Sequence, residues 1–246
     1  MKFRIEIWPF LLAGVLTGML LALVLGKFTP LRYTTAAYIG GALTLIACGY
    51  FFWFFRNPDR SAPDEKDIVV AGADGVVAKI ATFTPAEFGS IAMLAGLKEE
   101  DVACLKKSGD ILRVSIFLSL FDVHVNRAPI GGKSRFLGYF PGKHLFTFDE
   151  KSSDVNQHNS ILIQNERTCC LVNQIVGPVC RRVVYWLDHD NAVDIGIGED
   201  FGMMKFGSRL DMYFPAADIK LCVEEGVDVR AGESIIGHIA AAGGSK

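Results

Sequence analysis

The chain has 246 residues and a mass of 26.9 kDa, with 50% hydrophobic residues, 21% charged residues and a mean hydropathy of +0.30. That composition excludes a disordered chain, and 25 basic against 27 acidic residues give a net charge of −2, without the basic excess that nucleic acid demands. Six cysteines (Cys48, Cys104, Cys169, Cys170, Cys180, Cys222) form no C-x-x-C pair and no repeated spacing, so neither a metal site nor a disulfide framework is expected, and a reducing compartment is.

The apolar excess lies at the front. Residues 7–26 (IWPFLLAGVLTGMLLALVLG) are 20 positions without a charge, and residues 33–55 (YTTAAYIGGALTLIACGYFFWFF) are 23. Each can cross a hydrocarbon layer of ~30 Å at ~1.5 Å per residue. A cleaved signal peptide fits the first stretch less well, because the run is too long and leads straight into a second span. Residues 1–60 are therefore expected to form a membrane-anchoring two-helix hairpin. Lys2, Arg4, Arg56 and Arg60 flank its outer ends, against Lys27 and Arg32 in the short loop, which favours both ends on the cytoplasmic side of the cell (inner) membrane. The domain that follows would then start at the cytoplasmic surface of that membrane.

From residue 61 onward, short apolar runs alternate with Gly, Pro and Asp turns. Strands are expected at 68–70, 76–80, 111–118, 160–164, 169–176, 182–185, 209–213 and 219–223, with a helical interruption at 85–107. The expected fold is mainly β, a β-barrel or hybrid barrel behind the helical hairpin. Residues 222–237, with glycine turns at Gly226, Gly232 and Gly237, resemble the hammerhead strands of biotinyl and lipoyl hybrid barrels, but the attachment lysine is missing.

Four clusters carry candidate chemistry: Phe54-Phe-Arg-Asn-Pro-Asp-Arg60, Ala71-Gly-Ala-Asp74-Gly-Val-Val77, Phe121-Asp-Val-His124-Val-Asn126-Arg127-Ala-Pro129 and Gly202-Met-Met-Lys-Phe-Gly207-Ser208-Arg-Leu-Asp211. Alone, each has an ordinary reading: Asp74-Gly75 and Gly207-Ser208 as turns, and His124 as a satisfied structural side chain. Together and in this order they resemble the phosphatidylserine decarboxylase proenzymes, in particular their short bacterial and archaeal (archaetidylserine-type) branch. The resemblance runs from about residue 54 to 215, with further matches at Asn165-Glu166-Arg167 and along residues 174–182.

The resemblance implies self-processing. Ser208 would attack the carbonyl of Gly207, and β-elimination would leave a large chain (1–207) and a small chain (208–246) that begins with a covalent pyruvoyl cofactor derived from Ser208. His124 is the candidate base, with Asp74 orienting it as the acid of a Ser-His-Asp set does. Many members of the family carry His-x-x-His-x-Pro, whereas this chain has His124-Val-Asn126-Arg127-Ala-Pro, so either one histidine serves both maturation and turnover or Arg127 takes over a substrate contact. Arg127 and Asn126 are the substrate-binding candidates. The implied activity is decarboxylation of phosphatidylserine to phosphatidylethanolamine. The expected partners are a phospholipid substrate, the membrane and the two chains held as a heterodimer, with further homo-oligomerisation and no nucleic acid.

Two other readings compete. A serine hydrolase would need a Gly-x-Ser-x-Gly elbow entering a helix, and Ser208 instead enters a strand-like run. A membrane-anchored hybrid-barrel adaptor without activity accounts for the hairpin but not for Asp74, His124 and Phe-Gly-Ser-Arg appearing together.

Overall fold

The computed structural model describes residues 2–149, 151–178, 183–205 and 208–240. The chain forms two compact units, residues 1–59 and 60–246.

In the first unit, helices α1 (Trp8–Phe28) and α2 (Tyr33–Phe54) are joined by residues 29–32, and β1 (Lys2–Phe3) pairs antiparallel with β2 (Arg56–Asn57) at their outer ends. Small residues set the helix contact. A Cβ on Gly18 would overlap Gly40 O and Thr44, and one on Gly40 would overlap Gly18 O and Ala22. The two backbones thus approach as closely as glycine allows, the packing that serves helices in lipid, where no hydrophobic driving force exists between them. Both helices are long and apolar enough to cross a membrane. The unit is a membrane-association element.

The second unit is mainly strand. Its strands are β3 (Ile68–Val70), β4 (Gly75–Phe83), β5 (Ile111–Leu118), β6 (Val125–Arg127), β7 (Gly132–Phe140), β8 (His158–Gln164), β9 (Cys169–Val176) and β10 (Val183–Tyr185). After these come β11 (Val193–Ile195), β12 (Asp200–Met204), β13 (Ser208–Pro215), β14 (Ile219–Leu221), β15 (Asp228–Val229) and β16 (Ile235–Ile239). An eight-stranded antiparallel sheet has the order β11-β7-β8-β9-β13-β5-β4-β15, and two three-stranded sheets, β10-β12-β6 and β14-β16-β3, complete the unit. Among the described residues no ladder joins β11 to β15, so the β-rich architecture consists of open sheets rather than a closed barrel.

The expected helix over 85–107 is broken. Thr84 and Glu87 form a capping box that starts α3 (Pro85–Leu94), and Gly96, at φ +80°, turns the chain before α4 (Glu99–Val102) and a 3-10 turn (Ala103–Lys106). Cys104 in that turn is paired with Cys169 at the start of β9 as a disulfide, with Cα atoms 6.5 Å apart. This corrects the expectation of unpaired thiols. The partners are 65 positions apart, and only packing of the helical insertion on β9 brings them together. Gly226 and Gly232 take the expected positive φ, but Gly237 lies inside β16 rather than at a turn.

β13 is the centre of the large sheet, paired with β5 along its whole length and with β9 over residues 208–213. Its two faces differ. Leu210, Met212 and Phe214 point into the main core with Ile116, Val114 and Val172, while Tyr213 points to a second cluster with Phe88, Leu105 and Leu171 beneath the helical insertion.

Candidate active site

Ser208 opens β13 and is fully buried, opposite Leu118 of β5 and Val176 of β9. Its Oγ has no hydrogen-bond partner among the described residues. A buried hydroxyl left unsatisfied costs about 1–3 kcal/mol, so the position needs an explanation beyond packing. Gly207 and the preceding Phe206 lie outside the described residues.

His124 reaches the same end of the sheet. The loop leaving β5 is closed by Ser119 N donating to Asp122 Oδ2 (2.7 Å), and it delivers a fully buried imidazole whose Nδ1 is 2.9 Å from Asp122 O. A carbonyl only accepts, so Nδ1 carries the proton, and in the neutral ring Nε2 carries the lone pair a base requires. Met204 N donates to His124 O (3.1 Å), and Met204 is four residues before Ser208, a connection that spans no more than ~14 Å.

Asp74 sits in the β3–β4 turn. At Gly75, with φ +134°, a Cβ would overlap Phe117 O, so glycine lets the turn close directly on the end of β5. Since Leu118 lies between this turn and Ser208, Asp74 is about two strand spacings, roughly 10 Å, from the serine. The hydrogen bonds of its carboxylate run elsewhere. Arg60 grips both oxygens, with Nη2 donating to Oδ2 at 2.9 Å, and Ala231 N donates to Oδ1 at 2.8 Å. Burial alone would lower the Arg60 pKa, but the bond to Asp74 and the charges of Asp74 and Glu233 outweigh it and raise it. The structure therefore brings Asp74 and His124 to one end of the sheet without a bond between them, and the imidazole is oriented by the Asp122 carbonyl instead. Arg60 is also withdrawn from the membrane flank, because its side chain is buried on Asp74.

Asn126 and Arg127 are both buried in β6. Arg127 Nη1 donates to Gly198 O (2.9 Å) and stands 3.6 Å from Asp200, so its guanidinium is committed to holding β6 on the Gly198–Asp200 turn. Asn126 Oδ1 accepts from Gln174 Nε2 (2.7 Å), Gln174 Oε1 accepts from Asn159 (3.4 Å), and Asn126 Nδ2 is a buried donor with no partner among the described residues. Gln174 faces Leu210 across the ladder, on the side of β13 that carries Ser208. The polar chain Asn159–Gln174–Asn126 thus lines the serine's side of the sheet. No sequence pattern gave Gln174 or Asn159 a role, because amides spread over three strands meet only through strand register.

On the other face of β13, Arg209 donates to Asp211 (2.8 Å) and to Ser115 Oγ (2.8 Å), all of them buried. Burial pushes the Asp211 carboxyl up, but the charges of Arg209 and Arg113, with the nearby Ser115 and Ser153 hydroxyls, outweigh it and hold it below the ordinary carboxylate range. A 420 Å³ cleft lined by Asn165, Glu166, Arg167 and Asp67 lies at the opposite end of β9, away from Ser208. There Asn165 Oδ1 accepts from Arg167 N and Thr168 N, closing the β8–β9 turn.

Residues 49–237 match the family model for phosphatidylserine decarboxylase. The chain belongs to this family. It is 40% identical to the phosphatidylserine decarboxylase proenzyme of Chlorobium chlorochromatii over 77% of this chain and 79% of that one. It is 34% identical to the proenzyme of Syntrophus aciditrophicus over 93% of both chains, and 36% identical to that of Saccharopolyspora erythraea over 95% of this chain and 87% of the relative. Family membership leaves the inactive-adaptor reading without support, and Ser208 opens a strand rather than the strand-to-helix elbow of a hydrolase.

Proposed function

We propose that the chain is a self-maturing decarboxylase that converts phosphatidylserine to phosphatidylethanolamine at a membrane, with a pyruvoyl group made from Ser208. One observation carries the reading beyond the family name. The Ser208 hydroxyl is buried and uncommitted at the first position of the central strand, at the sheet end that also holds His124 and Asp74.

In maturation, Ser208 Oγ attacks the Gly207 carbonyl, where glycine has no side chain to block approach, and His124 Nε2 takes the hydroxyl proton. The Gly207–Ser208 C–N bond breaks to give an ester, β-elimination releases the Gly207 carboxylate and leaves dehydroalanine, and water converts that to the pyruvoyl group with release of ammonia. Asn126 Nδ2, its amide plane fixed by Gln174, is the buried donor available to a developing oxyanion or to a substrate carboxylate. Asp74, clamped by Arg60 and Ala231, fixes the turn that closes this end of the sheet. The residues fit the group: removing the Ser208 hydroxyl breaks no hydrogen bond, and the neighbouring amide has a donor to spare. When present, the pyruvoyl carbonyl supplies the electron sink that decarboxylation of an amino acid headgroup requires. His124 then returns a proton to the carbon that has lost CO2.

The large chain (1–207) and small chain (208–246) stay together as a heterodimer, and such pairs associate further. The helical hairpin holds the enzyme in the cytoplasmic membrane with the catalytic unit on the cytoplasmic side. With Arg60 committed to Asp74, Lys2, Arg4 and Arg56 against Lys27 and Arg32 still favour that orientation. The Cys104–Cys169 disulfide points the other way, since such bonds persist in oxidising compartments. Labelling of Lys27 and Lys220 by an impermeant amine reagent in sealed inverted vesicles decides the orientation: Lys220 alone should react.

The test of the function is the intact mass of the purified protein. Cleavage at residue 208 gives chains of ~22.6 and ~4.3 kDa, the smaller one blocked to N-terminal sequencing. A single 26.9 kDa species, or a small chain with a free N-terminal serine, overturns it.

A further inference from the structure

The end of the sheet that carries Ser208 also carries the most exposed aromatic side chains among the described residues of the 60–246 unit. Leu118, opposite Ser208, runs into the loop that presents Leu120 at 44% and Phe121 at 68% exposure. On the other side, Val176 is also opposite Ser208, and Asn156 Nδ2 donates to Val176 O (3.0 Å) and to Leu145 O (2.8 Å), while Leu145 N donates to Asn156 Oδ1 (2.9 Å). Asn156 therefore pins the 143–149 loop to the strand end beside the serine. That loop presents Phe146 at 59% and Phe148 at 71% exposure, stacked on each other with ring centroids 5.2 Å apart and planes 15° from parallel.

Exposed phenylalanines on two separate loops, one pinned to the strand end by Asn156 and the other closed by Ser119 N on Asp122 Oδ2, are costly in water, and single scattered apolar residues would not converge on one rim. We infer that these loop tips dip into a lipid surface, with Phe146 and Phe148 on one side of the Ser208 end and Leu120 and Phe121 on the other. The tips protrude instead of lining a groove, which suits a fluid interface that needs no complementary shape. The chain itself supplies the occupant, since it carries two helices of membrane-spanning length and lipid is the apolar phase always within its reach. Lys143 and Lys151 flank the second loop, where a cation reaches the headgroup layer while the rings enter below it. The inference rests on the proposed lipid chemistry only for the reason that the reacting end should face the bilayer.

The test uses the full chain in nanodiscs of phosphatidylcholine brominated high on the acyl chain. Phe148→Trp and Phe121→Trp should each add emission that brominated lipid quenches about two-fold or more relative to unbrominated lipid, beyond the parent's own tryptophans. In a second arm, Phe146→Ser/Phe148→Ser should lower turnover of bilayer phosphatidylserine about ten-fold through its apparent KM and leave turnover of a short-chain, monomeric phosphatidylserine unchanged. Added emission that is equal in both lipids and water-like in wavelength overturns the inference, as does a cross-link from position 148 to position 148 between copies, which would assign the rim to self-association. Quenching without any decarboxylation would instead break the proposed function and leave the lipid contact standing.

Discussion

The two faces of β13 put the same physical problem, polar groups inside a sheet, to opposite uses. On one face Arg209 and Asp211 are buried as an ion pair, with Arg209 also donating to Ser115, although Asp211 Oδ2 and the Tyr213 hydroxyl have no hydrogen-bond partner among the described residues. On the other face Ser208 is buried with its hydroxyl uncommitted, followed by the apolar Leu210, Met212 and Phe214. Paired charges hold structure, whereas the lone Ser208 hydroxyl, buried at the same depth with no charge to pair, is left for the proposed attack on Gly207. Two neighbouring residues thus differ in kind because strand geometry sends them to opposite sides.

The comparison breaks outright if Ser208→Ala matures. That variant should give one uncut chain and no decarboxylation, checked by intact mass, while its thermal unfolding stays close to the parent's because no hydrogen bond is lost. His124→Ala should slow maturation by roughly 10²–10⁴-fold, the usual worth of a positioned base, read as the half-time of cleavage in freshly synthesised protein. On the opposite face, Arg209→Met leaves Asp211 buried with less compensation and should cost about 3–5 kcal/mol of stability, seen in denaturant unfolding of the full chain. Any cleavage defect in that variant should be rescued by lower temperature, whereas the defect of Ser208→Ala should not. Asp74→Asn and Arg60→Gln should slow maturation to similar, smaller extents, because the two side chains act as one clamp. A normal rate for Arg60→Gln with a slow Asp74→Asn would return Asp74 to direct contact with His124.

The smallest expected effect concerns His158, buried on the Arg209 face with Nδ1 2.8 Å from Asn156 O. Burial lowers its pKa, partly offset by the Asn156 carbonyl and the Asp211 charge. The folded state therefore binds the proton less readily than the unfolded chain, and stability should fall as pH drops below the unfolded value of ~6.5 and level off once the folded ring titrates. His158→Gln should flatten the dependence of thermal midpoint on pH between 7 and 5.

Much of the core was legible from apolar runs. The strands near 68–70, 111–118 and 169–176 coincide with β3, β5 and β9, because their side chains are buried on both faces and read as unbroken apolar stretches. β7 escaped because Gly132 and Gly138 and the polar Lys133, Ser134 and Arg135 interrupt the pattern, and its burial is only partial. The expected barrel closure was misread, since whether chain-distant edges such as β11 and β15 pair leaves no local trace in the sequence. In the site, the residue types of Ser208, His124 and Asp74 were visible, but their partners were not. Arg60 looked like a membrane-flanking cation until the fold carried it to Asp74, and Asp122 supplies a backbone carbonyl, which sequence cannot rank above a nearby carboxylate.

The position of β13 has a consequence for subunit exchange. Under the proposed cleavage, the small chain contributes the middle strand of the eight-stranded sheet, bonded to β5 and β9 of the large chain on both sides, and also β14, β15 and β16. The two chains are born already interleaved and never meet by diffusion. Separating them means opening the sheet along its centre, so a dissociated small chain has no docked surface to return to and no intermediate from which to try. Isotopically heavy and light enzymes mixed after maturation should therefore keep their original pairings for as long as they stay folded, and each molecule carries for life the cofactor it cut for itself.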